Sequence, residues 1–230
     1  MACPVRELSK DAYSLTGCYN LEMKRRAFTL IEVVIVSGII VALTSVVFAN
    51  FPQFGRTLAL RRETNKLALI LRKSQAHALA VREFNSTYAD DPFCAAPPVR
   101  FPPYGISLSM TVGGAGDARD NNTYIIFGDA NCTNLYTVTL ADGSNEQVEV
   151  FDMANGIIIQ SLTGYGIPCL AGCSLSDANI VYQRPAPTVI LSGNGSTLAN
   201  LDRIEIILGV ANSSLSERII VRTTGQVSIE

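Results

Sequence analysis

The apolar pattern along the chain changes character as it proceeds. From Phe28 to Phe51 the residues are almost all apolar, interrupted by a single charge at Glu32. About 20 apolar residues in helical form cross the hydrocarbon of a bilayer, so residues 28–51 predict a transmembrane helix. Pro52 removes a backbone donor and Gly55 loosens the chain, which predicts a bend or a melted turn there. Helical spacing then resumes: Leu60, Leu67, Leu71, Ala78 and Val81 share one stripe, while Arg61, Arg62, Lys66, Arg72, Lys73 and Arg82 fall mainly elsewhere. Residues 52–84 therefore predict an amphipathic continuation whose apolar face meets the rest of the protein. Run together, Phe28 to about Phe84 would make a rod of roughly 80 Å.

From Asn85 onwards Pro92, Pro97, Pro98, Pro102 and Pro103 exclude a helix and predict a connecting loop. Short apolar or β-branched runs follow between turn residues. Strands are expected at 104–110, 123–127, 135–140, 147–151, 157–162, 179–183, 188–191, 203–208, 218–222 and 226–229. Turns are expected at 112–122, at Asp142-Gly143 and at Thr223-Thr224-Gly225, the last a compact hairpin. A long N-terminal helix followed only by strands is an α+β pattern, with the helix packed on an antiparallel sheet formed by a head of residues 85–230.

Charge changes the picture at the N-terminus. Lys24, Arg25 and Arg26 stand directly before the apolar run, and positive charge is held on the cytoplasmic side of a membrane. Glu32 inside such a helix costs about 2.5 to 3.5 kcal/mol, so it calls for a partner. An ordinary secretory signal would have a shorter apolar core with a small-residue cleavage site after it. A plain membrane anchor accounts for the length of the run but not for Glu32.

The order Lys24-Arg25-Arg26-Ala27-Phe28-Thr29-Leu30-Ile31-Glu32 resembles the class III signal of type IV pilins and type II secretion pseudopilins. The resemblance covers Lys24 to Leu43 and departs in one place, Ala27 standing where the family usually has Gly. It implies a leader of residues 1–27 and a prepilin peptidase that cuts between Ala27 and Phe28 and N-methylates the new terminus. It also implies that Glu32 faces the free amine of a neighbouring subunit's Phe28 during assembly. The expected partners are that peptidase, other pilin or pseudopilin subunits, the inner-membrane assembly platform and membrane lipid. The expected location is the inner membrane, single-pass, with the N-terminus cytoplasmic and the head outside, and then the filament. Tyr104-Gly105-Ile106, the strand Tyr124 to Asp129 and the closing hairpin make the head look like the H-type minor pseudopilin and FimT-like group. Met23 begins a leader of common length, so residues 1–22 read either as a start assigned too early or as a long cytoplasmic leader.

Of 230 residues, those from 84 to 230 carry six Lys/Arg against fourteen Asp/Glu. A filament-tip adhesin or DNA receptor is the alternative function, but phosphate recognition needs a basic surface and this head is acidic. The seven cations of residues 51–83 could suit nucleic acid or lipid headgroups, but read in preference as a solvated face. Cys3 and Cys18 lie in the leader, whereas Cys94, Cys132, Cys169 and Cys173 lie in the head, where two disulfides are expected from three possible pairings. Cys169 with Cys173 would close a tight loop around Gly172, leaving Cys94 with Cys132; a zinc site has poorer spacing.

No phosphate loop, nucleophile elbow, zinc-protease helix or dinucleotide fingerprint occurs, so neither an enzyme nor a cofactor is expected. His77, the single histidine, has no catalytic company in the sequence and reads as a packing or surface residue. Asp129, Asn131 and Asn134 have spacings that could suit calcium but lack the glycine and closing Glu of an EF-hand, and they read as turn formers. Gly193-Asn194-Gly195-Ser196 is either a partner-facing loop or a plain connection.

Overall fold

The computed structural model describes residues 28–80, 82–84, 101–113, 117–140, 145–167, 169–183, 188–195, 198 and 201–230, with the side chains of 49–52 set aside. Val81, the proline-rich stretch up to Arg100 and the Asp142-Gly143 turn lie outside them. The chain divides into two compact units, Met1–Ala49 and Asn50–Glu230.

Helix α1 runs from Leu30 to Leu79. It carries helical backbone through Pro52 and Gly55, so the melted turn expected there is absent. A proline forfeits only one bond, to the carbonyl four residues earlier, and the helical backbone continues past it to Leu79.

In the second unit the helical stripe is the expected one. Leu60, Leu67, Leu71 and Ala78 are buried, and Arg61, Arg62 and Arg72 on the other side are exposed. Ten strands follow: β1 Tyr104–Ser109, β2 Thr123–Gly128, β3 Gln147–Asp152, β4 Ile157–Gly166, β5 Cys169–Ser174, β6 Asp177–Tyr182, β7 Val189–Gly193, β8 Arg203–Val210, β9 Ser216–Arg222 and β10 Val227–Ile229. They form two five-stranded sheets, ordered β3-β2-β1-β6-β7 and β10-β9-β8-β4-β5, with every pairing antiparallel. A single sheet was the expectation. Alternation along a strand shows which residues face inward but does not reveal which strands are neighbours. The α+β layout holds, with an apolar N-terminal helix on antiparallel sheets.

One core joins the second part of α1 to both sheets. Leu67, Ile70 and Leu71 meet Ile106, Leu108 and Ile180 of the first sheet and Ile159, Leu162, Ile204 and Ile206 of the second in a single cluster of buried side chains. In β8 the inward residues alternate as Ile204, Ile206, Leu208 and Val210. In β4 the parity switches, from Ile157 and Ile159 to Leu162, because a bulge between Ile159 and Ser161 inserts Gln160 as an extra residue. Gln160 then lies over Gly209, where any Cβ would collide with it.

Residues 135–140 do not form a strand. They cross the far face of the first sheet instead, where Tyr136 and Val138 pack on Ile125, Phe127 and Val181 in a second cluster. Both faces of that sheet are thus covered, and β1 and β2 are buried at every position. The hairpin at Thr223-Thr224-Gly225 is present: Gly225 has φ +80, and its N–H donates to Arg222 O at 2.8 Å. A three-residue loop closing with glycine in the left-handed region joins β9 to β10.

Candidate functional site

The N-terminal part of α1 begins at a cap. Thr29 stands outside the helix, its carbonyl accepting the Val33 N–H at 3.3 Å and its hydroxyl accepting the Glu32 N–H, also at 3.3 Å. Thr29-x-x-Glu32 is thus the spacing of a capping box, with an acidic residue in the first turn where the helix dipole favours it. Sequence reasoning assigned Glu32 to assembly and passed over this local role, although the spacing alone suggests it.

Beyond the cap the helix surface is apolar and uncovered. Fourteen large apolar side chains from Phe28 to Phe48 are 49–83% exposed. Together they leave on the order of 1,500 Å² of apolar surface in water, a deficit of ~40 kcal/mol at about 25 cal/mol per Å². An uncovered surface of that size on one helix requires a lipid or protein cover. The helix is long and apolar enough to cross a membrane, and no part of its most apolar stretch is buried within the chain. Along one side Phe28, Glu32, Val36 and Ile40 follow at i, i+4 spacing and, with Val33 and Ser37, line a shallow hollow. Glu32 is therefore the one charged residue lining that hollow. Lys24, Arg25, Arg26 and Ala27 lie outside the described residues.

Cys169 and Cys173 are joined by a disulfide, with Cα atoms 5.4 Å apart. The segment between them is not a loop but strand β5, in which Gly172 adopts φ +90 and its missing Cβ leaves room for the Tyr165 ring. Cys132 is also disulfide-bonded. Cys94 lies outside the described residues.

His77 packs edge-on against Tyr104, with ring centroids 5.6 Å apart, and Arg82 approaches its ring nitrogens at 3.2 and 3.3 Å. Burial, and then the charges of Arg82 and Lys73, push its pKa below the usual range for histidine.

The segment containing Asp129, Asn131 and Asn134 is organised by carboxylates that accept backbone N–H groups. Asp129 takes those of Thr133 (2.9 Å) and Asn134 (3.0 Å). Glu146, which nothing in the sequence singles out, takes those of Ala130 (2.9 Å), Asn131 (3.2 Å) and Thr137 (2.7 Å). Both carboxylates have 0% exposure. Burial is the main cause that raises Asp129 to about 6 and Glu146 to about 8, against the opposing pull of the hydrogen bonds. Cys132 and Asn134 sit at positive φ within this turn. The Asn131 side chain bonds Thr137 and Thr133, and the Asn134 amide oxygen accepts from Gln183. These oxygens are engaged in turn formation. Among the described residues no three His, Cys, Asp or Glu side chains gather as metal ligands.

At the Gly193-Asn194-Gly195 turn, Asn194 Oδ1 accepts from Ser176 N at 2.6 Å and Asp177 accepts the Gly195 N–H at 3.1 Å, tying β7 to the β5–β6 connection. Ser196 lies outside the described residues. Of these segments, the N-terminal part of α1 exposes the most large apolar side chains among the described residues. Compared with protein-family models, curated proteins and solved structures, the chain matches none of them.

Proposed function

We propose that the chain is a non-catalytic subunit, of the minor pilin or pseudopilin kind, of a type IV pilus or type II secretion filament. The observation that carries this reading is the joining of Lys24-Arg25-Arg26-Ala27-Phe28-Thr29-Leu30-Ile31-Glu32 to a helix whose apolar side chains up to Phe48 are exposed. The basic residues hold the N-terminus in the cytoplasm, the apolar run enters the membrane, and prepilin peptidase cuts before Phe28. The helix then exchanges lipid for the helices of neighbouring subunits, and Glu32 meets the free amine of a neighbour's Phe28. In that pairing a costly carboxylate and a costly amine neutralise each other. The strand-rich head stays outside, and its likeness to the H-type minor pseudopilins rests on strand order.

Mass spectrometry of the mature protein, made in a host with prepilin peptidase, tests the reading. The expected N-terminus is N-methylated Phe28. A chain in which the Ala27–Phe28 bond stays intact overturns it.

A further inference from the structure

We propose that Arg56, Arg61 and Arg62 form a collar that binds the headgroups of anionic phospholipids; this rests on the reading of α1 as a membrane helix. From Val33 to Gly55 the chain has 23 residues without a single Asp, Glu, Lys or Arg, and Arg56 is the first charge after them. At 1.5 Å per residue that stretch measures about 34 Å, slightly more than the ~30 Å of bilayer hydrocarbon. At 100° per residue, positions 56, 61 and 62 point to three different sides of the helix, so they encircle it instead of forming a stripe.

The partners of these cations set them apart from Lys66 and Lys73 later in the helix and from Arg82 past its end. Lys66 reaches Glu63 and the Asp152 carbonyl, Lys73 reaches Glu149 and lies over the Phe151 ring, and Arg82 meets His77. Arg61 has only Glu217, at 3.3 Å, and its side chain stays 67% exposed. Arg56 and Arg62 have no ion pair or side-chain hydrogen bond among the described residues. Arg72 is likewise unpaired among them, but it lies ten residues past Arg62, about 15 Å farther along the helix and beyond the headgroup layer.

Phe54 and Leu58, 61% and 49% exposed, fall between Arg61 and Arg62 around the helix at 100° per residue. An aromatic and a leucine at the acyl boundary beside arginines suit a lipid interface, where an arginine stem can lie in the apolar layer while its charge reaches outward. A free phosphate could satisfy the guanidinium groups but would leave Phe54 and Leu58 uncovered. Each arginine near an anionic membrane surface favours binding enough to change an association constant about fivefold.

The test uses the full chain in vesicles of phosphatidylcholine and phosphatidylglycerol at 3:1, with spin-labelled forms of either lipid reporting relative association. The unmodified chain should prefer phosphatidylglycerol. The preference should fall about fivefold for each arginine removed in Arg56→Gln and Arg62→Gln. Arg72→Gln should leave it unchanged. Equal association of the two lipids, or a double variant that keeps the preference, overturns the collar. Carbonate extraction at high pH separates the two ideas: a chain that washes out refutes the membrane reading and the collar with it, whereas a retained chain without preference refutes the collar alone.

Discussion

Raising the pH should loosen the head, and Glu146→Gln should remove most of that response. Glu146 and Asp129 are fully buried, and burial moves them to about 8 and about 6 from ordinary values of 4.5 and 3.8. Since both folded values exceed the unfolded ones, the folded chain holds more protons than the unfolded chain across this interval. The stability they contribute is fully present below the unfolded values and is lost as pH rises through the folded ones. For Glu146 the loss between pH 5 and pH 8 is about 3–4 kcal/mol, and Asp129 adds ~1 kcal/mol. The two are coupled, because the charge on Asp129 is one cause of the rise at Glu146. Against a total stability of about 5–15 kcal/mol, this would be a large share. Urea unfolding of the full chain in mild detergent, followed by far-ultraviolet circular dichroism at pH 5, 6.5 and 8, measures it. The midpoint should fall with pH in the native chain and change much less in Glu146→Gln. Six backbone N–H groups oppose burial at these two sites, those of Cys132, Thr133 and Asn134 at Asp129 and those of Ala130, Asn131 and Thr137 at Glu146. A stability that rises with pH over the same interval would show that those hydrogen bonds outweigh desolvation, and would refute the assignment of raised values to both carboxyls.

Two further outcomes concern the head. Gly105→Ala places a Cβ 2.8 Å from the Phe127 ring and 2.9 Å from the Ile180 carbonyl, so it should cost about 1–3 kcal/mol, read as a lower thermal midpoint. An unchanged midpoint would mean that β1 and β2 can separate freely. Replacing Cys169 and Cys173 together by serine should cost about 2 kcal/mol, the value for closing so short a loop, with sheet content preserved in circular dichroism.

The helical stripe was legible because Leu60, Leu67, Leu71 and Ala78 keep one period and the cations avoid it. Most strands were legible within two residues for a similar reason, since each has its own apolar run between turn residues. Three features were hidden. Residues 135–140 carry an apolar pattern suited to a strand, yet they lie over the first sheet as a cover, and only the fold supplies the surface that Tyr136 and Val138 meet. Cys169 to Ser174 is too rich in small residues to read as a strand and is held as one by pairing with β4. The division into two sheets depends on long-range pairing such as Ile206 with Leu162, of which local sequence carries no trace. At the candidate site the apolar run and Glu32 were plain from residue type alone. Glu146 was not, because a single glutamate beside Asn145 and Gln147 resembles any solvated turn.

The bond from the Glu32 amide to Thr29 has a consequence for the nascent chain end. A cut before Phe28 would release an ammonium group one residue ahead of the cap, against the positive end of the helix dipole, where a cation is least welcome. Glu32, in the first turn, is the acidic group of the same chain placed to offset it. A subunit not yet in a filament would then carry its own counterion, and assembly would exchange that intramolecular pairing for an intermolecular one. Replacing Glu32 with an uncharged residue would remove both arrangements at once, so lost assembly alone does not distinguish a missing neighbour contact from an unravelled first turn.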